Sequence, residues 1–437
     1  MKHALSVIGT GYLGATHATC MASLGYTVVG IDSDKEKIAR LSRGELPFYE
    51  PGLEELLREQ LATGRLTFSS DFADLANADV HFICVGTPQK ENSLAADLSF
   101  VESAIESIVP FLKPGSLVVG KSTVPVGTAQ ALSKTLAASA PQAELAWNPE
   151  FLREGFAIED TLRPNRIVVG VSSDEAEETL REVFAPLLEI GTPWISADLP
   201  TSELVKVAAN SFLATKISFI NAMAEVCEAA GADVTVLSQA IGYDPRIGNK
   251  FLQAGIGFGG GCLPKDIRAF MARADELGAN QALEFLREID AINLRARRRV
   301  IEVVHRLLGN DLSKYKIAVL GAAFKPESDD VRDSPALDIA SQLHGTGAKI
   351  TVHDPKAIEN ARKRFPELSF ADEVKDCLNG ADIVLHLTEW REYRELKPFD
   401  LITLVNNPLI LDGRNALDRE EWVRAGWSFH ALGRADQ

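Results

Sequence analysis

Apolar residues in this chain cluster in short runs rich in β-branched side chains, and longer stretches with apolar residues at helical spacing separate these runs. Over roughly the first 195 residues the short runs are Ala4–Gly9, Thr27–Asp32, Val80–Val85, Leu117–Gly120 and Arg166–Gly170. Uniformly apolar runs of this length are typical of strands that are buried on both faces. Their alternation with amphipathic stretches predicts a parallel, doubly wound α/β sheet.

The strand pattern fades near Thr201 and returns near Lys314. Between these points Ser202–Ala230 and Ile267–Leu308 keep apolar residues at helical spacing, which predicts a helical middle region. The strand-like runs of the last part of the chain are Ile317–Gly321, Lys349–His353, Ile383–Leu387 and Leu409–Leu411. A second, smaller α/β unit is therefore expected after the helical region.

The length of the chain agrees with several domains, because 437 residues exceed the size at which one hydrophobic core stops growing. We predict an α/β domain over residues 1–199, a central helical domain over 200–310 and a second α/β domain over 311–437. With 46% hydrophobic and 24% charged residues, the composition is that of an ordinary globular protein. No apolar run approaches the ~20 residues that span a bilayer, and no signal peptide precedes the first strand, so we expect a cytoplasmic protein without a membrane partner.

Charge and cysteine usage argue against two further classes of protein. A net charge of −16 disfavours nucleic acid as a partner, and the one basic run, Arg295–Arg299, spreads around a helix and receives no function. The five cysteines are scattered, without a CxxC pair or a His-Cys cluster, so neither a disulfide framework nor a metal site is predicted. The cysteine pattern is compatible with a catalytic thiol.

The first strand runs directly into a GxGxxG turn, which stands before a predicted helix. Gly9 suits the tight turn, Gly11 lets a pyrophosphate approach the backbone, and Gly14 permits close packing of helix on strand. Asp32 ends the second strand, where a carboxylate accepts hydrogen bonds from a ribose and repels a 2′-phosphate. The pattern predicts a dinucleotide site that takes NAD rather than NADP, with Lys37 as an additional contact.

A glycine-dense loop, Gly255–Gly261, leads to Cys262 just before another predicted helix. Backbone N–H groups and a helix N-terminus stabilise a thiolate, and glycines let a substrate approach the main chain. We therefore predict that Cys262 is a nucleophile, with Lys265 and Asp266 as neighbours. The other four cysteines stand in apolar settings and are interpreted as core residues.

Two further segments carry polar residues at spacings that suit a site. Lys206 and Asn210 lie four positions apart, so both project from one helix face and could stabilise an oxyanion, although an exposed lysine with a polar neighbour is an equally good interpretation. Glu150 and Glu154 also have helical spacing, and one of them could activate water or stay protonated. Thr123 follows a strand at the ligand-binding edge of the sheet and is a candidate water or nicotinamide contact.

Together these segments resemble the UDP-glucose 6-dehydrogenase family, within the four-electron nucleotide-sugar dehydrogenases. The resemblance runs from Gly9 to about Arg414 and is carried by GxGYxG at Gly9–Gly14, CVGTP at Cys84–Pro88, STVPVGT at Ser122–Thr128, NPEFLREG at Asn148–Gly155, RIGxKFL at Arg246–Leu252, GFGGGCLPKD at Gly257–Asp266 and AFKxxxDDxR at Ala323–Arg332. It implies two Rossmann-like domains, N-terminal for NAD and C-terminal for a UDP-sugar, joined by a helical domain whose long helix forms a dimer interface. The substrate would be UDP-glucose.

The resemblance also implies roles for individual residues. Cys262 would be the nucleophile, Lys206 and Asn210 would stabilise oxyanions, Asp266 and Thr123 would hold a water, and Glu154 would be a base for product release. Glu150 is a further catalytic candidate. Further cofactor contacts would be Tyr12, Leu13, Thr87, Thr123, Glu154, Lys265 and Arg332. The substrate would touch Phe151, Leu152, Arg153, Glu154, Lys206, Asn210, Phe251, Gly259, Cys262, Phe324, Lys325 and Arg414, and Arg246 would reach into the site of a partner subunit. Gly261 stands where many relatives have serine.

The reaction so implied is oxidation of a primary alcohol to a carboxylate through a thiohemiacetal and a thioester on Cys262. One alternative is the same chemistry on GDP-mannose or UDP-N-acetylmannosamine, against which the NPEFLREG and RIGxKFL segments argue. Another is a two-electron hydroxyacid-type dehydrogenase that uses only Lys206 and Asn210. A non-catalytic NAD-sensing module would require the loss of Cys262, Lys206 or Asp266, and all three are present.

Overall fold

The computed structural model describes residues 3–435. The chain forms two compact units, one made of the residues up to Ala209 with Arg268–Gly278, the other of Asn210–Ile267 with the residues from Ala279 onward. Two of the three boundaries fall inside helices, and neither unit is a single continuous stretch of chain. The predicted limits of three domains stay predictions.

The first unit is built on an eight-stranded sheet with the order β3-β2-β1-β4-β5-β6-β7-β8. Its strands are β1 Ala4–Ile8, β2 Thr27–Ile31, β3 Leu66–Ser69, β4 Val80–Ile83, β5 Leu117–Gly120, β6 Glu144–Trp147, β7 Ile167–Gly170 and β8 Trp194–Ala197. The helices between them are α1 Tyr12–Ser23, α2 Lys35–Ser42, α3 Leu53–Ala62, α4 Ser99–Ile108, α5 Thr128–Ser139, α6 Ala157–Leu162, α7 Asp174–Val183 and α8 Ala185–Glu189, with 3-10 turns at Phe72–Asn77 and Val109–Phe111. All five strands predicted here are present.

Both faces of this sheet are covered, as the uniformly apolar runs predicted. Along β5, Leu117 and Val119 belong to the core on one face, while Val118 belongs to the core on the other. A strand that has no solvent-facing side has no reason to alternate apolar with polar residues. The sheet is therefore a central layer between helices.

One prediction about this sheet needs correction, because the sheet is not parallel throughout. β6 and β7 are antiparallel and pair at Trp147 and Gly170. The other pairings in the sheet are parallel. Because β6 is parallel to β5, the segment after β6 lies at the end of the sheet where β1, β4 and β5 also finish. The chain then returns through β7 in the opposite direction.

The second unit contains a six-stranded parallel sheet with the order β11-β10-β9-β12-β13-β14. Its strands are β9 Lys316–Leu320, β10 Lys349–His353, β11 Ser369–Phe370, β12 Ile383–His386, β13 Leu409–Asp412 and β14 Ser428–Ala431. The order of these six strands matches that of β1 to β6, and both correspond to the 3-2-1-4-5-6 order of a dinucleotide-binding fold. The predicted pair of Rossmann-like sheets is confirmed.

The helical middle region is also confirmed, with one break that was not predicted. Its helices are α9 Leu199–Ala230, α10 Val234–Gly242, α11 Leu263–Glu276 and α12 Glu284–Leu308, with a 3-10 turn at Asn280–Leu283. The stretch expected to be helical from Ile267 to Leu308 is thus divided, because Gly278 takes a left-handed φ of 74° that ends a helix at little cost. The long helix of the fold is α9, with 32 residues.

The remaining helices belong to the second sheet and complete its core. They are α13 Pro335–Gly345, α14 Ile358–Arg364, α15 Val374–Leu378, α16 Arg391–Arg394, α17 Pro398–Leu401 and α18 Arg419–Arg424. The core also includes Val300 and Val304 of α12, so this helix packs on the second sheet. Between residues 3 and 435, no helix combines the length and the apolarity needed to cross a membrane.

Candidate active site

The turn after β1 has the geometry that a dinucleotide requires. Gly9 takes a φ of 86°, which residues with a side chain rarely adopt, and its N–H donates to Ile31 O at 2.8 Å. A Cβ on Gly14 would lie 1.8 Å from Gly9 O, whereas a Cβ on Gly11 would meet no atom within 4 Å. Gly14 is thus needed for packing, and Gly11 leaves open space beside the first turn of α1, where a pyrophosphate fits.

Asp32 follows β2 and faces the same turn. Its carboxylate accepts from the N–H of Thr10 at 2.8 Å and from Lys37 Nζ at 2.8 Å. Burial opposes its ionisation, but the Lys37 side chain and the backbone N–H groups of Asp34 and Thr10 hold the pKa of Asp32 below its ordinary value. The carboxylate is therefore charged at neutral pH, and these residues fit the adenosine end of NAD.

Thr87 and Thr123 come together where β4 and β5 end. The hydroxyl of Thr87 donates to the carbonyl oxygen of Thr123 at 2.8 Å, and the neighbouring Ser122 donates to Val85 O at 2.6 Å. Two loops that leave adjacent strands are thereby tied to each other beside the dinucleotide turn.

The segment 148–156 is a loop rather than the helix that the spacing of Glu150 and Glu154 indicated. Glu150 accepts from the N–H of Leu152 at 2.6 Å and pairs with Lys206 Nζ at 3.1 Å. Glu154 lies near Tyr12, whose pKa is raised first by burial, then by Glu50, and also by Glu154. Glu150 is thus paired with Lys206, and Glu154 lies close to the phenol of Tyr12.

Aromatic and basic side chains of the same loop are engaged with their neighbours. The ring of Phe151 has Arg166 at 3.8 Å on its face and Lys206 Nζ at 5.5 Å from its centroid. Arg153 makes a two-point hydrogen bond with Asp160 at 2.9 and 2.7 Å. The predicted substrate contact at Arg153 is thus held on α6 in this structure.

In the second unit, Cys262 stands immediately before α11 and is exposed. Asp266, one turn into that helix, is 3% exposed and accepts from Asn210 Nδ2 at 2.7 Å and from Lys265 Nζ at 2.6 Å. Asn210 is also buried. The thiol predicted as a nucleophile is therefore accessible, while the polar pair one turn away is fixed.

The four other cysteines are buried, as their apolar settings predicted. Burial raises the pKa of Cys20, Cys84 and Cys377 to about 12, and it also raises the pKa of Cys227. These thiols stay neutral and out of reach of substrate at neutral pH. Cys262 is the only exposed cysteine between residues 3 and 435.

The glycines before Cys262 pack against residues of the second sheet's loops. A Cβ on Gly260 would lie 2.8 Å from the ring of Phe324, and one on Gly259 would lie 2.3 Å from the carbonyl oxygen of Asp333. A Cβ on Gly261 would meet the guanidinium of Arg332 at 2.4 Å. The absence of a side chain at Gly261 thus gives Arg332 room beside the nucleophile loop.

Further predicted substrate contacts surround the same loop. Arg414 donates to the carbonyl oxygens of Leu387 at 2.8 Å, Gly257 at 3.2 Å and Phe324 at 3.2 Å. Lys325 Nζ lies 5.4 Å from the centroid of the Phe324 ring. The structure therefore brings Gly259, Phe324, Lys325 and Arg414 into one neighbourhood with the loop that ends at Cys262.

Two residues of the RIGxKFL segment have unusual settings. Phe251 takes a φ of 64°, a conformation that costs energy for an aromatic residue. The side chain of Arg246 is 88% exposed and pairs with Asp244 at 2.6 Å. The first observation marks strain at a predicted substrate contact, and the second leaves Arg246 on the surface of its own chain.

Asp354 occupies in the second sheet the position that Asp32 has in the first, directly after the second strand of the order. One of its oxygens accepts from the N–H groups of Ala322 at 2.7 Å and Ala323 at 2.9 Å and from Trp390 Nε1 at 3.1 Å. The other accepts from the N–H groups of Lys356 and Ala357. This carboxylate is fully used by the chain itself.

Three buried charged residues near the first-unit site were not singled out from the sequence. Glu50 accepts from Tyr12, Gly155 and Ala157. Lys121 donates to Asn148 at 2.8 Å. Glu203 accepts from the N–H groups of Gly127 at 2.6 Å and Ala129 at 2.7 Å, at the start of α5. Two of them could have been found from the sequence, because they adjoin segments that were singled out. Lys121 directly precedes Ser122, and Glu203 stands three positions before Lys206. Glu50 carries no such signal.

Within residues 3–435, no cluster of three or more His, Cys, Asp or Glu side chains is arranged to hold a metal ion. The groups that these residues offer for chemistry are a thiol, buried cations and carboxylates, amide donors and a dinucleotide turn.

Comparison with known proteins agrees with these features. Models of the UDP-glucose/GDP-mannose dehydrogenase family match the chain in three parts: its NAD binding domain at residues 3–188, its central domain at 200–295 and its UDP binding domain at 318–419. A UDP-glucose 6-dehydrogenase of Rhizobium meliloti is 41% identical over 437 residues, which cover 99% of this chain and 100% of that protein.

Solved structures give the same result. A UDP-glucose dehydrogenase of Pyrobaculum islandicum superposes with a TM-score of 0.91 at 35% identity, covering 100% of this chain and 98% of that one. A UDP-D-ManNAc dehydrogenase of Pyrococcus horikoshii gives a TM-score of 0.87 at 27% identity, covering 99% and 100% of the two chains. The chain has the dinucleotide turn and the thiol loop described above, and it is an NAD-dependent enzyme that belongs to the UDP-glucose/GDP-mannose dehydrogenase family.

Proposed function

We propose that this chain oxidises UDP-glucose to UDP-glucuronate and that Cys262 carries the sugar covalently between the two oxidations. The observation that carries the proposal is the exposed Cys262 directly before α11, with the buried Asn210 and Asp266 one helical turn away. The names of the relatives support UDP-glucose as the substrate.

Each step has a group in the chain that suits it. NAD, when bound, supplies the acceptor for the hydride of each oxidation. The N-terminus of α11 stabilises the thiolate of Cys262, which adds to the aldehyde from the first oxidation and gives a thiohemiacetal. The second oxidation converts this adduct to a thioester, and water releases the carboxylate.

Charge develops on the substrate oxygen in both addition steps. Lys206 is 4% exposed, so its ammonium acts in surroundings of low dielectric, where a cation stabilises an oxyanion strongly. Asn210 uses one amide hydrogen on Asp266 and has a second for the same oxyanion. We assign Asp266 and Thr123 to holding the hydrolytic water, with Glu154 as the base for product release.

We assign NAD contacts to Gly9, Gly11, Gly14, Asp32 and Lys37, together with Tyr12, Leu13, Thr87, Lys265 and Arg332. Substrate contacts are assigned to the aromatic and basic groups of the 148–156 loop, to Phe251 and to the cluster of Gly259, Phe324, Lys325 and Arg414. Loop 148–156 and the RIGxKFL segment favour UDP-glucose over GDP-mannose and UDP-N-acetylmannosamine.

A homodimer is part of the proposal. Phe212, Phe219 and Val226 repeat at seven-residue spacing along α9 and are 67%, 47% and 56% exposed. Residues seven apart share one helix face, and burying such a stripe against a second copy is favourable by about 25 cal/mol per Å² of apolar surface. We propose that this stripe joins two subunits and that Arg246, on the surface, contributes to the partner's site.

A stoichiometric assay tests the activity. The purified chain with UDP-glucose and NAD should form two NADH for each UDP-glucuronate, and NADP should support little turnover because Asp32 repels a 2′-phosphate. UDP-galactose, GDP-mannose and UDP-N-acetylmannosamine, assayed in parallel, serve as substrate controls. One NADH per sugar would contradict the four-electron proposal, and faster turnover of another sugar would contradict the assignment of the substrate.

A further inference from the structure

Glu50 is a buried carboxylate that stands outside every motif described above. It precedes α3 and is 4% exposed. Its carboxylate accepts hydrogen bonds from the hydroxyl of Tyr12, from the N–H of Gly155 at 2.6 Å and from the N–H of Ala157 at 2.7 Å. The three donors are uncharged, so the carboxylate is stabilised inside the protein by directed hydrogen bonds.

These donors come from two segments that are far apart in sequence and have different ligands. Tyr12 is the first residue of α1, directly after the turn that receives NAD. Gly155 and Ala157 end the loop of Glu150, Phe151 and Glu154, to which we assign the sugar. Glu50 is therefore a single group that holds the cofactor turn and the substrate loop at a fixed distance.

The phenol of Tyr12 remains a hydrogen-bond donor over the physiological pH range. Burial, followed by the hydrogen bond to Glu50, raises the pKa of Tyr12 far above its ordinary value, so the phenol stays protonated and donates. The Tyr12 ring also packs on Phe48 with 5.0 Å between centroids, which holds the hydroxyl in place. Loss of the carboxylate would leave the phenol hydroxyl without its acceptor, whereas loss of the hydroxyl leaves Glu50 with its two N–H donors.

We propose that Glu50 is a positioning residue that couples the binding of NAD to the binding of the nucleotide sugar. Through Glu50, ordering of the Gly9–Gly14 turn by the cofactor also orders the 148–156 loop, and the reverse holds for the sugar. The inference rests on the proposed function, since it needs both ligands. Glu50 itself is placed in contact with neither ligand.

Coupling of this kind is reciprocal and can be measured as binding, independently of turnover. The Kd of UDP-glucose is measured by calorimetry without and with saturating NADH, and the Kd of NADH without and with saturating UDP-glucose. For the wild-type protein we expect both ratios to agree and to be about fivefold or more, which is the usual size of such coupling.

Tyr12→Phe is the most specific variant, because it removes one hydroxyl and keeps the ring on Phe48. We expect it to bring both ratios to within about twofold of one, with the melting temperature little changed. Tyr26→Phe is the matched control, since this buried residue belongs to the same unit and its hydroxyl donates to Glu182 O at 3.1 Å, an acceptor outside both segments. Tyr26→Phe should keep the wild-type ratios.

Glu50→Gln and the double variant Tyr12→Phe/Glu50→Gln complete the design. Glu50→Gln should lower the ratios at least as much as Tyr12→Phe, and the double variant should add nothing further, because both changes break the same link. If Glu50→Gln does not fold, Tyr12→Phe decides alone. Ratios of one in the wild type, or wild-type ratios in Tyr12→Phe, would overturn the role of Glu50. Failure of the wild-type protein to bind UDP-glucose at all would instead refute the proposed function.

Discussion

At the scale of single residues, the five cysteines of the chain show how position determines reactivity. Four are buried, and burial raises the pKa of their thiols. Cys262 differs in being exposed and in preceding a helix of 14 residues. A thiolate there is stabilised by the unpaired N–H groups of the first helical turn.

Replacing Cys262 by serine should separate oxidation from release. The serine hydroxyl can add to the aldehyde, but its pKa is too high for the helix terminus to ionise it appreciably, and an ester is hydrolysed less easily than a thioester. With UDP-glucose and NAD, intact-protein mass spectrometry of Cys262→Ser should show a UDP-glucuronoyl adduct.

The matched variant Cys262→Ala has no nucleophile, so it should show no adduct and at most slow turnover of aldehyde. UDP-glucuronate formation by Cys262→Ala at the wild-type rate would mean that no covalent intermediate is needed. The four-electron oxidation would then proceed without a thioester on Cys262.

Residues in local motifs could be predicted from the sequence, whereas residues that act across segments could not. The turn at Gly9–Gly14 and the thiol at Cys262 are recognisable because their chemistry needs a fixed local spacing. Glu50 has its partners 38 and more positions away, so only the folded chain identifies it. Glu150 and Glu154 were misjudged as helical because spacing alone does not show that Pro149 begins a loop.

At the scale of elements, Glu203 links two helices of the site. It lies on α9, one turn before Lys206, and its carboxylate accepts the N–H groups of Gly127 and Ala129 at the start of α5. The loop that contains Thr123 leads into α5. Glu203 is 2% exposed, and burial raises its pKa to about 7 despite these hydrogen bonds. The positive charge of Arg273 also lowers the pKa of Glu203.

The raised pKa predicts a specific pH dependence of stability. Between about pH 4.5 and 7 the folded chain holds a proton on Glu203 that the unfolded chain releases, so this contribution to stability falls as pH rises. Relative to Glu203→Gln, which does not titrate, the wild-type protein should lose about 2 to 3 kcal/mol of unfolding free energy between pH 5 and pH 8. Urea unfolding of both proteins at the two pH values measures this difference.

Glu177 provides a control with the opposite shift. A hydrogen bond from Ser196 lowers its pKa, so Glu177 is ionised throughout that range. Glu177→Gln should change stability equally at pH 5 and pH 8. An equal effect of Glu203→Gln at the two pH values would show that Glu203 titrates near its ordinary pKa.

The strands could be predicted where they are buried and β-branched, and were missed where they are not. β4, β5 and β12 are buried at every position. β8 lies at the sheet edge with two exposed residues, and β3 and β11 are short edge strands, so none of them shows a continuous apolar run. β6 begins with Glu144 and was missed for that reason, together with its antiparallel pairing to β7.

At the scale of the whole molecule, the proposed dimer makes a prediction about mixed subunits. Arg246→Ala and Cys262→Ala chains should each be inactive, because each lacks one part of every site. If Arg246 acts in the partner's site, a mixed dimer assembles one site with both residues, and mixing the two proteins should restore partial activity.

Subunit exchange is followed in the same samples by native mass spectrometry of differently tagged chains. Mixing Arg246→Ala with a second Arg246→Ala preparation is the control and should restore nothing. Demonstrated exchange without recovery in the first mixture would mean that Arg246 acts within its own chain or has no role.

The two sheets share one strand order, yet their acids after the second strand differ in what they can still accept. The carboxylate of Asp354 receives four backbone N–H groups and one indole, which exceeds its roughly four lone-pair positions. Asp32 accepts from the N–H and hydroxyl of Thr10, the N–H of Asp34 and Lys37 Nζ, and only the last of these belongs to a long, partly exposed side chain that a ribose hydroxyl could replace. By strand order the chain has two places for a dinucleotide, but only Asp32 has a partner that a ribose could replace.

A single dinucleotide-binding site means that an oxidation that consumes two NAD must proceed in two separate steps. The first NADH must leave and a fresh NAD must enter the same place before the second oxidation can begin. The sugar has to stay bound throughout this exchange. Only a covalent bond to the protein ensures that the aldehyde is not released while the dinucleotide site is empty. Under the proposed mechanism, the bond between the sugar and Cys262 must therefore last at least as long as the exchange of NADH for NAD.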